Sequence, residues 1–158
     1  FARKQPEGKA PVDIHEQIQR VLDLRDHEQK VNNIQVITRF ASDLPQVMGN
    51  ASQLQQVFFN IVINAEFFML EAHQKGNLTI TTERIGDFVR ASFTDDGPGI
   101  PLELRDKVFY PLVSGSAGGH GLGLTLAQDF VSQHNGSIEF ESETERTCFS
   151  VMLPLPSL

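Results

Sequence analysis

Apolar residues recur at the spacing of an amphipathic helix in three parts of the chain. The predicted helices cover residues 14 to about 25, 50 to about 74 and 122–134. Asn50 is a suitable N-cap for the second helix, which has the strongest apolar pattern, and Lys75-Gly76 ends it. Each of these helices needs an apolar surface to cover, which the rest of the chain has to supply.

Alternating apolar and polar residues predict strands between and after these helices. The predicted strands are a short edge strand at residues 11–14, then residues 34–40, 78–84, 88–94, 137–143 and 147–153. Gly86-Asp87 and Asn135-Gly136 provide turns, and residues 102–107 predict one or two helical turns. Because strands and helices alternate only partly and the last strands form a hairpin, we expect one mixed sheet with helices on one face.

Composition and charge narrow the class of protein. The length of 158 residues suits one domain, and the apolar share of 40% is typical of globular proteins. A net charge of −7 without any basic run argues against a nucleic-acid partner and direct membrane contact. A phosphate ligand would therefore have to be held by local dipoles and a metal. The single cysteine, Cys148, excludes an internal disulfide and indicates a cytoplasmic location.

The first eleven residues differ in composition from the rest. Pro6, Gly8 and Pro11 stand among charged residues, which is typical of a linker. We therefore predict a linker at residues 1–11 and one folded domain at residues 12–158. The longest apolar stretch, residues 57–70, is too short to span a bilayer and is interrupted by polar residues.

Two asparagines, Asn60 and Asn64, stand one helical turn apart in the longest predicted helix. Residues four apart share a helix face, so both side-chain amides point the same way. An amide carbonyl is a hard oxygen ligand, and Mg²⁺ takes one or two protein oxygens together with water and phosphate. The pair fits a site for a magnesium-bound phosphate, although solvated or capping asparagines give the same pattern.

The segment Asp95-Asp96-Gly97-Pro98-Gly99-Ile100 directly follows a predicted strand. Gly97 and Gly99 allow the backbone to approach a flat ligand, because no Cβ intervenes. A carboxylate at the strand end can accept a hydrogen bond from an exocyclic amine, which would select adenine over guanine. An ordinary Asp-Gly turn is the alternative.

The segment Gly119-His120-Gly121-Leu122-Gly123-Leu124 opens the third predicted helix. Glycines at a helix N-terminus expose backbone N–H groups at the positive end of the helix dipole, where phosphates bind. The segment lacks the Gly-Lys-Ser/Thr of a P-loop, and its glycines are spaced GxGxG rather than GxGxxG. A flexible glycine-rich turn is the alternative.

In this order, the three segments resemble the N, G1 and G2 boxes of the GHKL ATP-binding fold. Phe109-Tyr110-Pro111-Leu112 resembles the F box, and the similarity extends to residues 147–154, so that it covers nearly the whole chain. The resemblance implies an α+β fold, a two-layer sandwich of the Bergerat type with a mixed, mostly antiparallel sheet. It also implies ATP and Mg²⁺ as cofactors.

Asn60 distinguishes between the branches of this family. The hydrolysing branches, which are gyrase-type topoisomerases, Hsp90 chaperones and mismatch-repair ATPases, place a glutamate four residues before the metal-binding asparagine. An amide cannot take a proton from water near neutral pH, so the γ-phosphoryl group would survive for another acceptor. The pattern resembles histidine kinases, and residues 95–124 are most similar to the nitrogen-regulatory sensor kinases.

The resemblance implies a role for each matching residue. Asn64 would ligate Mg²⁺, Asn60 would contact phosphate or the metal shell, and Asp95 would bind the adenine amino group. The other implied nucleotide-binding residues are Gly97, Gly99, Ile100, Gly119, His120, Gly121, Leu122, Gly123, Leu124 and Thr147. Of these, the glycines of the G2 box would wrap the phosphates under a lid at residues 113–120, and Thr147 would support Asp95. The sequence departs from the family at Phe67, where a polar or charged residue is usual.

The resemblance further implies a protein histidine kinase of a two-component signalling system. It would transfer the γ-phosphoryl group to a histidine on a dimerisation domain outside this chain, with residues 1–11 as the tail of its last helix, and a response regulator would act downstream. Neither His15-Glu16 nor His27-Glu28 leads into the apolar and proline pattern of an acceptor site, so we expect solvated helix positions there.

Two other functions stay open from the sequence. A nucleotide-sensing interaction module without transfer activity could use the phenylalanines at positions 58, 59, 67 and 68 as a partner surface, although core packing is the favoured role for this cluster. An anti-sigma-type protein serine kinase would share the same fold.

Overall fold

A computed structural model of the chain describes residues 8–109 and 124–157, in which helices lie against one face of a five-stranded sheet. In chain order the elements are β1 (Ala10–Val12), α1 (Ile14–Val31), β2 (Ile34–Arg39), β3 (Val47–Gly49), α2 (Ala51–His73), β4 (Gly76–Ile85), β5 (Phe88–Asp95), a 3-10 helix (Leu102–Lys107), α3 (Thr125–Gln133), β6 (Ser137–Glu143) and β7 (Arg146–Pro154). None of the described helices is both long enough and apolar enough to cross a membrane.

The five-stranded sheet has the order β2-β4-β5-β7-β6. Strands β2 and β4 are parallel, and every other neighbouring pair is antiparallel. The predicted mixed, mostly antiparallel sheet is therefore confirmed. β1 pairs with β3 in a separate two-stranded sheet, and β3 was not predicted because three residues are too few to show an alternating pattern.

Helix α1 is longer than its apolar pattern predicted, because it ends at Val31 rather than near Arg25. Five of the six added residues are polar, and Glu28, Gln29 and Lys30 are good helix formers that favour a helix without showing an apolar stripe. Arg25 and Gln29 both bind the buried Glu66 carboxylate of α2, at 2.6 Å for the nearest Arg25 nitrogen and 2.7 Å for Gln29 Nε2. These contacts stabilise the second half of α1 against α2.

Helix α2 is the central helix and contacts both α1 and α3. Asn50 is its N-cap, as predicted, and the Asn50 side chain accepts a hydrogen bond from the backbone N–H of Gln53. Phe58 is fully buried and stacks on Phe93 of β5 with ring centroids 5.7 Å apart. Burying a side chain of this size contributes about 2 to 3 kcal/mol.

Core packing is thus confirmed for Phe58, whereas the other three phenylalanines of the cluster are half-buried. Phe59 and Phe68 pack against the core, and Phe67 meets Phe68 edge to face, with ring centroids 5.3 Å apart. The expectation of a solvated His15 is wrong, because its ring stacks on Phe40 at 4.3 Å and its Nε2 lies 2.7 Å from the Thr82 hydroxyl. His27 is exposed, as expected.

Candidate functional site

The two asparagines of the first motif lie on α2, one turn apart, where its sequence predicted them. Asn64 is almost completely buried, with 4% of its surface exposed, whereas Asn60 is half-buried. The Nε2 of Gln56, one further turn towards the N-terminus, donates a 2.8 Å hydrogen bond to Oδ1 of Asn60. The helix therefore presents a row of amides rather than carboxylates along this face. An amide oxygen is a ligand that Mg²⁺ takes beside phosphate oxygens, so the donors fit that ion.

Asp95 is the last residue of β5 and is buried, with 5% of its surface exposed. Its Oδ1 accepts a hydrogen bond of 2.9 Å from the backbone N–H of Gly97. Burial raises the pKa of Asp95 to about 6; the Gly97 hydrogen bond lowers it, and the neighbouring charge of Asp96 raises it. A buried carboxylate with one backbone donor is suited to accept a further hydrogen bond from a ligand amine.

Asp96 makes different contacts from the adjacent Asp95. Its two carboxylate oxygens accept hydrogen bonds from the backbone N–H and the side-chain amide of Asn77, at 2.9 and 3.0 Å. Asp96 thereby fastens the start of the loop to β4. Of the two adjacent carboxylates, only Asp95 is buried at the strand end as the adenine-binding role requires.

The loop after β5 runs close against α2 on one side and β6 on the other. A Cβ added to Gly97 would lie 3.5 Å from the backbone of α2 at Phe68 and Met69. Gly99 has a positive φ of 85°, and a Cβ there would clash with the carbonyl oxygen of Glu143. Close backbone approach therefore requires glycine at position 99, whereas a Cβ at Gly97 would make ordinary contacts with α2 and lie 3.0 Å from Oδ1 of Asp95. The neighbours of both glycines are protein atoms, so their approach to a flat ligand stays a prediction.

Ser142 is a residue of this site that the sequence analysis missed. Its hydroxyl accepts a 2.7 Å hydrogen bond from the backbone N–H of Ile100 and lies 3.0 Å from the Thr147 hydroxyl. Ser142 shares the inward face of β6 with Ile138 and Phe140. A serine on an otherwise apolar strand face was the signal that could have identified it.

The structure brings several of the predicted residues together and leaves others outside its description. Asp95 and Thr147 are directly opposite each other on β5 and β7, and Ile100 is buried. Leu124 is buried and precedes α3, whose first residue, Thr125, donates a hydrogen bond to the carbonyl oxygen of Phe109. The remaining predicted residues, Gly119, His120, Gly121, Leu122 and Gly123, lie outside the described residues.

The described helices of the site carry almost no positive charge. Neither α2 nor α3 contains a lysine or an arginine. Arg105 of the 3-10 helix donates to the carbonyl oxygen of Ile100 at 2.9 Å and thereby braces the loop. A triphosphate at this site would depend on backbone dipoles and a bound metal for neutralisation.

Comparison with known proteins identifies the family. Residues 49–157 match the family described as histidine kinase-, DNA gyrase B- and HSP90-like ATPase. A protein named sensory histidine kinase/phosphatase NtrB from Vibrio alginolyticus is 36% identical over 163 residues, covering 96% of this chain and 46% of that protein. The protein of the same name from Klebsiella oxytoca is 37% identical over 152 residues, covering 90% of this chain and 43% of that protein. The chain thus spans somewhat less than half the length of these relatives.

Solved structures agree with this match. The nucleotide-free catalytic domain of histidine kinase ThkA superimposes with a TM-score of 0.80 at 28% identity, covering 94% of this chain and 99% of that domain. ThkA in complex with the response regulator protein TrrA gives a TM-score of 0.79 at 26% identity, covering 94% of this chain and 42% of that chain. The chain therefore belongs to the histidine kinase-, DNA gyrase B- and HSP90-like ATPase family and carries its ATP-binding domain.

Proposed function

We propose that this chain is the catalytic domain of a sensor histidine kinase, which transfers the γ-phosphoryl group of magnesium-bound ATP to a histidine on a dimerisation domain outside the chain. The observation that carries this proposal is Asn60, an amide placed one turn before Asn64 on the same face of α2. The similarity to proteins named as histidine kinases supports the same branch of the family.

Most of the residues proposed to bind the base are among the described ones, and their positions support this part of the proposal. Asp95 would accept a hydrogen bond from the adenine amino group, with Gly97, Gly99 and Ile100 forming the loop beside the base. Thr147 lies opposite Asp95 in the neighbouring strand and would support it. Guanine carries a carbonyl oxygen in place of the adenine amine. This oxygen has no hydrogen to donate to the Asp95 carboxylate.

The phosphate part of the site would hold the triphosphate without activating water. Asn64 would ligate Mg²⁺, which would neutralise charge on the phosphates, and Asn60 would contact phosphate or the metal shell. The only acidic residues of α2 are Glu66 and Glu71, and Glu66 is already bound by Arg25. Since no carboxylate of α2 stands one turn before Asn64, water lacks a proton acceptor there, and in-line transfer to an imidazole becomes the available reaction.

The wider arrangement follows from the same proposal. Residues 1–11 would connect the dimerisation helix to the catalytic domain, residues 12–158, of a cytoplasmic, homodimeric kinase. The last two residues of this connection, Ala10 and Pro11, already pair with β3 of the domain. A response regulator would receive the phosphoryl group, as the ThkA–TrrA complex illustrates for that kinase. Gly119, Gly121, Leu122 and Gly123 would wrap the phosphates, and His120 and Leu124 belong to the same proposed nucleotide-binding segment.

Reconstitution tests the proposal. The chain is mixed with its own dimerisation domain and ATP labelled at the γ-phosphate, with and without Mg²⁺. We expect labelling of the dimerisation domain that requires Mg²⁺ and is lost in acid, because phosphohistidine is acid-labile. Tight ATP binding without transfer would support a sensing module instead, and an acid-stable label would indicate a serine kinase.

A further inference from the structure

We propose that Ser142 is a positioning residue for adenine recognition, because its hydroxyl joins the loop beside the base to the strand pair that holds Asp95. This inference rests on the proposed function and adds to it a residue that determines specificity without touching the base.

Three strands bring the relevant side chains onto one line across the sheet. Ser142 of β6 is directly opposite Thr147 of β7, and Thr147 is directly opposite Asp95 of β5. The Ser142 and Thr147 hydroxyl oxygens are 3.0 Å apart. Because residues directly opposite each other in neighbouring strands project to the same face, all three side chains point towards the helices.

The Ser142 hydroxyl also holds the loop that follows Asp95. It accepts a hydrogen bond of 2.7 Å from the backbone N–H of Ile100, whose side chain is buried. A hydroxyl has two acceptor positions and one hydrogen. With Ile100 as donor, Ser142 keeps one acceptor position and its own hydrogen for the Thr147 hydroxyl, so either of the two hydroxyls can donate to the other.

A second contact holds the same loop against β6. The backbone of Gly99 lies so close to the carbonyl oxygen of Glu143 that a Cβ could not be accommodated. The loop therefore contacts two consecutive residues of β6, Ser142 and Glu143. Ser142 contacts it through its side chain and Glu143 through its backbone. Removal of the Ser142 hydroxyl leaves the Ile100 N–H without its acceptor, at a cost of the size of one hydrogen bond.

Loss of the Ser142 hydroxyl affects the binding of the base more than that of the phosphates. A loop that shifts away from β6 changes the position of Gly97, whose N–H is bound to Asp95. Asn60 and Asn64, which would hold the triphosphate, are on α2 rather than on this loop or on β6. We therefore expect loss of the Ser142 hydroxyl to change the preference for adenine over guanine more than the phosphate contribution, which both nucleotides share.

The test compares ATP and GTP affinity in the presence of Mg²⁺ for the parent chain and three variants, each shown to be folded by circular dichroism. Ser142→Ala should lose about tenfold in ATP affinity, with GTP affinity within about twofold of the parent. Ser142→Thr, which keeps a hydroxyl, should retain the parental ratio. Ser150→Ala is the matched control, because Ser150 pairs with Ser92 at 3.1 Å on the opposite face of the same sheet.

The outcomes separate this inference from the proposed function. If the parent prefers ATP and Ser142→Ala keeps the same ATP-to-GTP ratio, the positioning role is wrong, even where the variant unfolds at a lower temperature. If the parent itself shows no preference for ATP, the adenine site and the proposed function fail together. A smaller ratio of ATP to GTP affinity in Ser142→Ala, with the parental ratio kept in Ser142→Thr and Ser150→Ala, supports the inference.

Discussion

The backbone N–H of Asn50 donates a 2.9 Å hydrogen bond to Nε2 of His134. Asn50 caps α2, which carries the two asparagines, and His134 follows α3, which comes directly after the predicted phosphate loop. Nδ1 of His134 lies 2.7 Å from the carbonyl oxygen of Phe130. Because a backbone N–H needs a lone pair, Nε2 is unprotonated and Nδ1 donates to Phe130, so the imidazole is neutral.

This contact predicts a pH dependence of stability. Burial lowers the pKa of His134, the hydrogen bond to Phe130 opposes that effect, and the nearby charge of Lys9 adds to it. As the pH is lowered, the unfolded chain therefore takes up a proton at this residue near pH 6.5, and the folded chain does so only at a lower pH. The stabilisation by neutral His134 is complete above pH 6.5 and is lost as the pH falls towards the lower pKa of the folded state.

Urea unfolding of the parent and of His134→Gln between pH 5.5 and 7.5 measures this effect. We expect the parent to be the more stable at pH 7.5 and the difference to shrink as the pH falls. His27→Gln, the same substitution at an exposed position of α1, provides the control. A constant difference between His134→Gln and the parent across the range would contradict the prediction.

Asp95→Asn should make the ligand-free domain more stable at pH 7. The pKa of Asp95 is raised to about 6 by burial, so its ionised form opposes folding above that pH. This penalty declines as the pH falls from about 6 towards the ordinary value near 4. We expect a gain on the order of 1 to 3 kcal/mol in the free energy of unfolding at pH 7, roughly half of that gain at pH 5, and almost none below pH 4.

The same variant should bind ATP more weakly, because an amide cannot replace the carboxylate as a charged acceptor for the adenine amine. Thermal unfolding and ATP titration on one preparation check both effects. A variant that is less stable than the parent at pH 7, or that binds ATP equally well, contradicts the assignment of Asp95 as a buried, ligand-binding carboxylate whose ionised form opposes folding.

The strong periodic elements were predictable because each carries its own signal. Helix α2 begins where the N-cap Asn50 predicted, and β5 ends at Asp95, close to the predicted boundary. The added turns of α1 were missed because the contacts that hold them, from Arg25 and Gln29 to Glu66, join residues about forty positions apart. Periodicity in a single segment does not report such contacts.

In the candidate site, too, the residues of local motifs were predictable and those that act through long-range contacts were not. The first two motifs are found where the sequence predicted them, on α2 and after β5, because an apolar helix and glycines after a strand are visible in the sequence. The third motif, residues 119–124, lies outside the described residues except for Leu124 and stays a prediction. Ser142 and His134 act through long-range pairing, with Ile100 and Asn50 respectively, and neither belongs to a local motif. His15 was misjudged for the same reason, because its partners Phe40 and Thr82 come from other elements.

Asn64→Ala should remove the contribution of Mg²⁺ to ATP binding. If Asn64 ligates the ion, the variant removes one of the few protein oxygens that would hold Mg²⁺, whereas Asp95 keeps its carboxylate for the adenine amine. We expect at least tenfold weaker ATP binding with Mg²⁺ and little change with EDTA. Asn32→Ala, which removes an exposed amide at the end of α1, is the control. Equal affinity of Asn64→Ala and the parent with Mg²⁺ would mean that the metal is held elsewhere.

Asn60→Glu should convert the site towards hydrolysis. The new carboxylate would stand one turn before Asn64, where Gln56 Nε2 already donates to the side chain of residue 60 at 2.8 Å, so its orientation is supported. A positioned general base contributes roughly 10²–10⁴-fold to such reactions, and a partial effect of at least tenfold in phosphate release is expected. Asn60→Gln keeps the amide and should show no gain. If Asn60→Glu binds ATP but releases phosphate no faster than the parent, the absence of a base at this position does not explain why the γ-phosphoryl group would be preserved for a histidine.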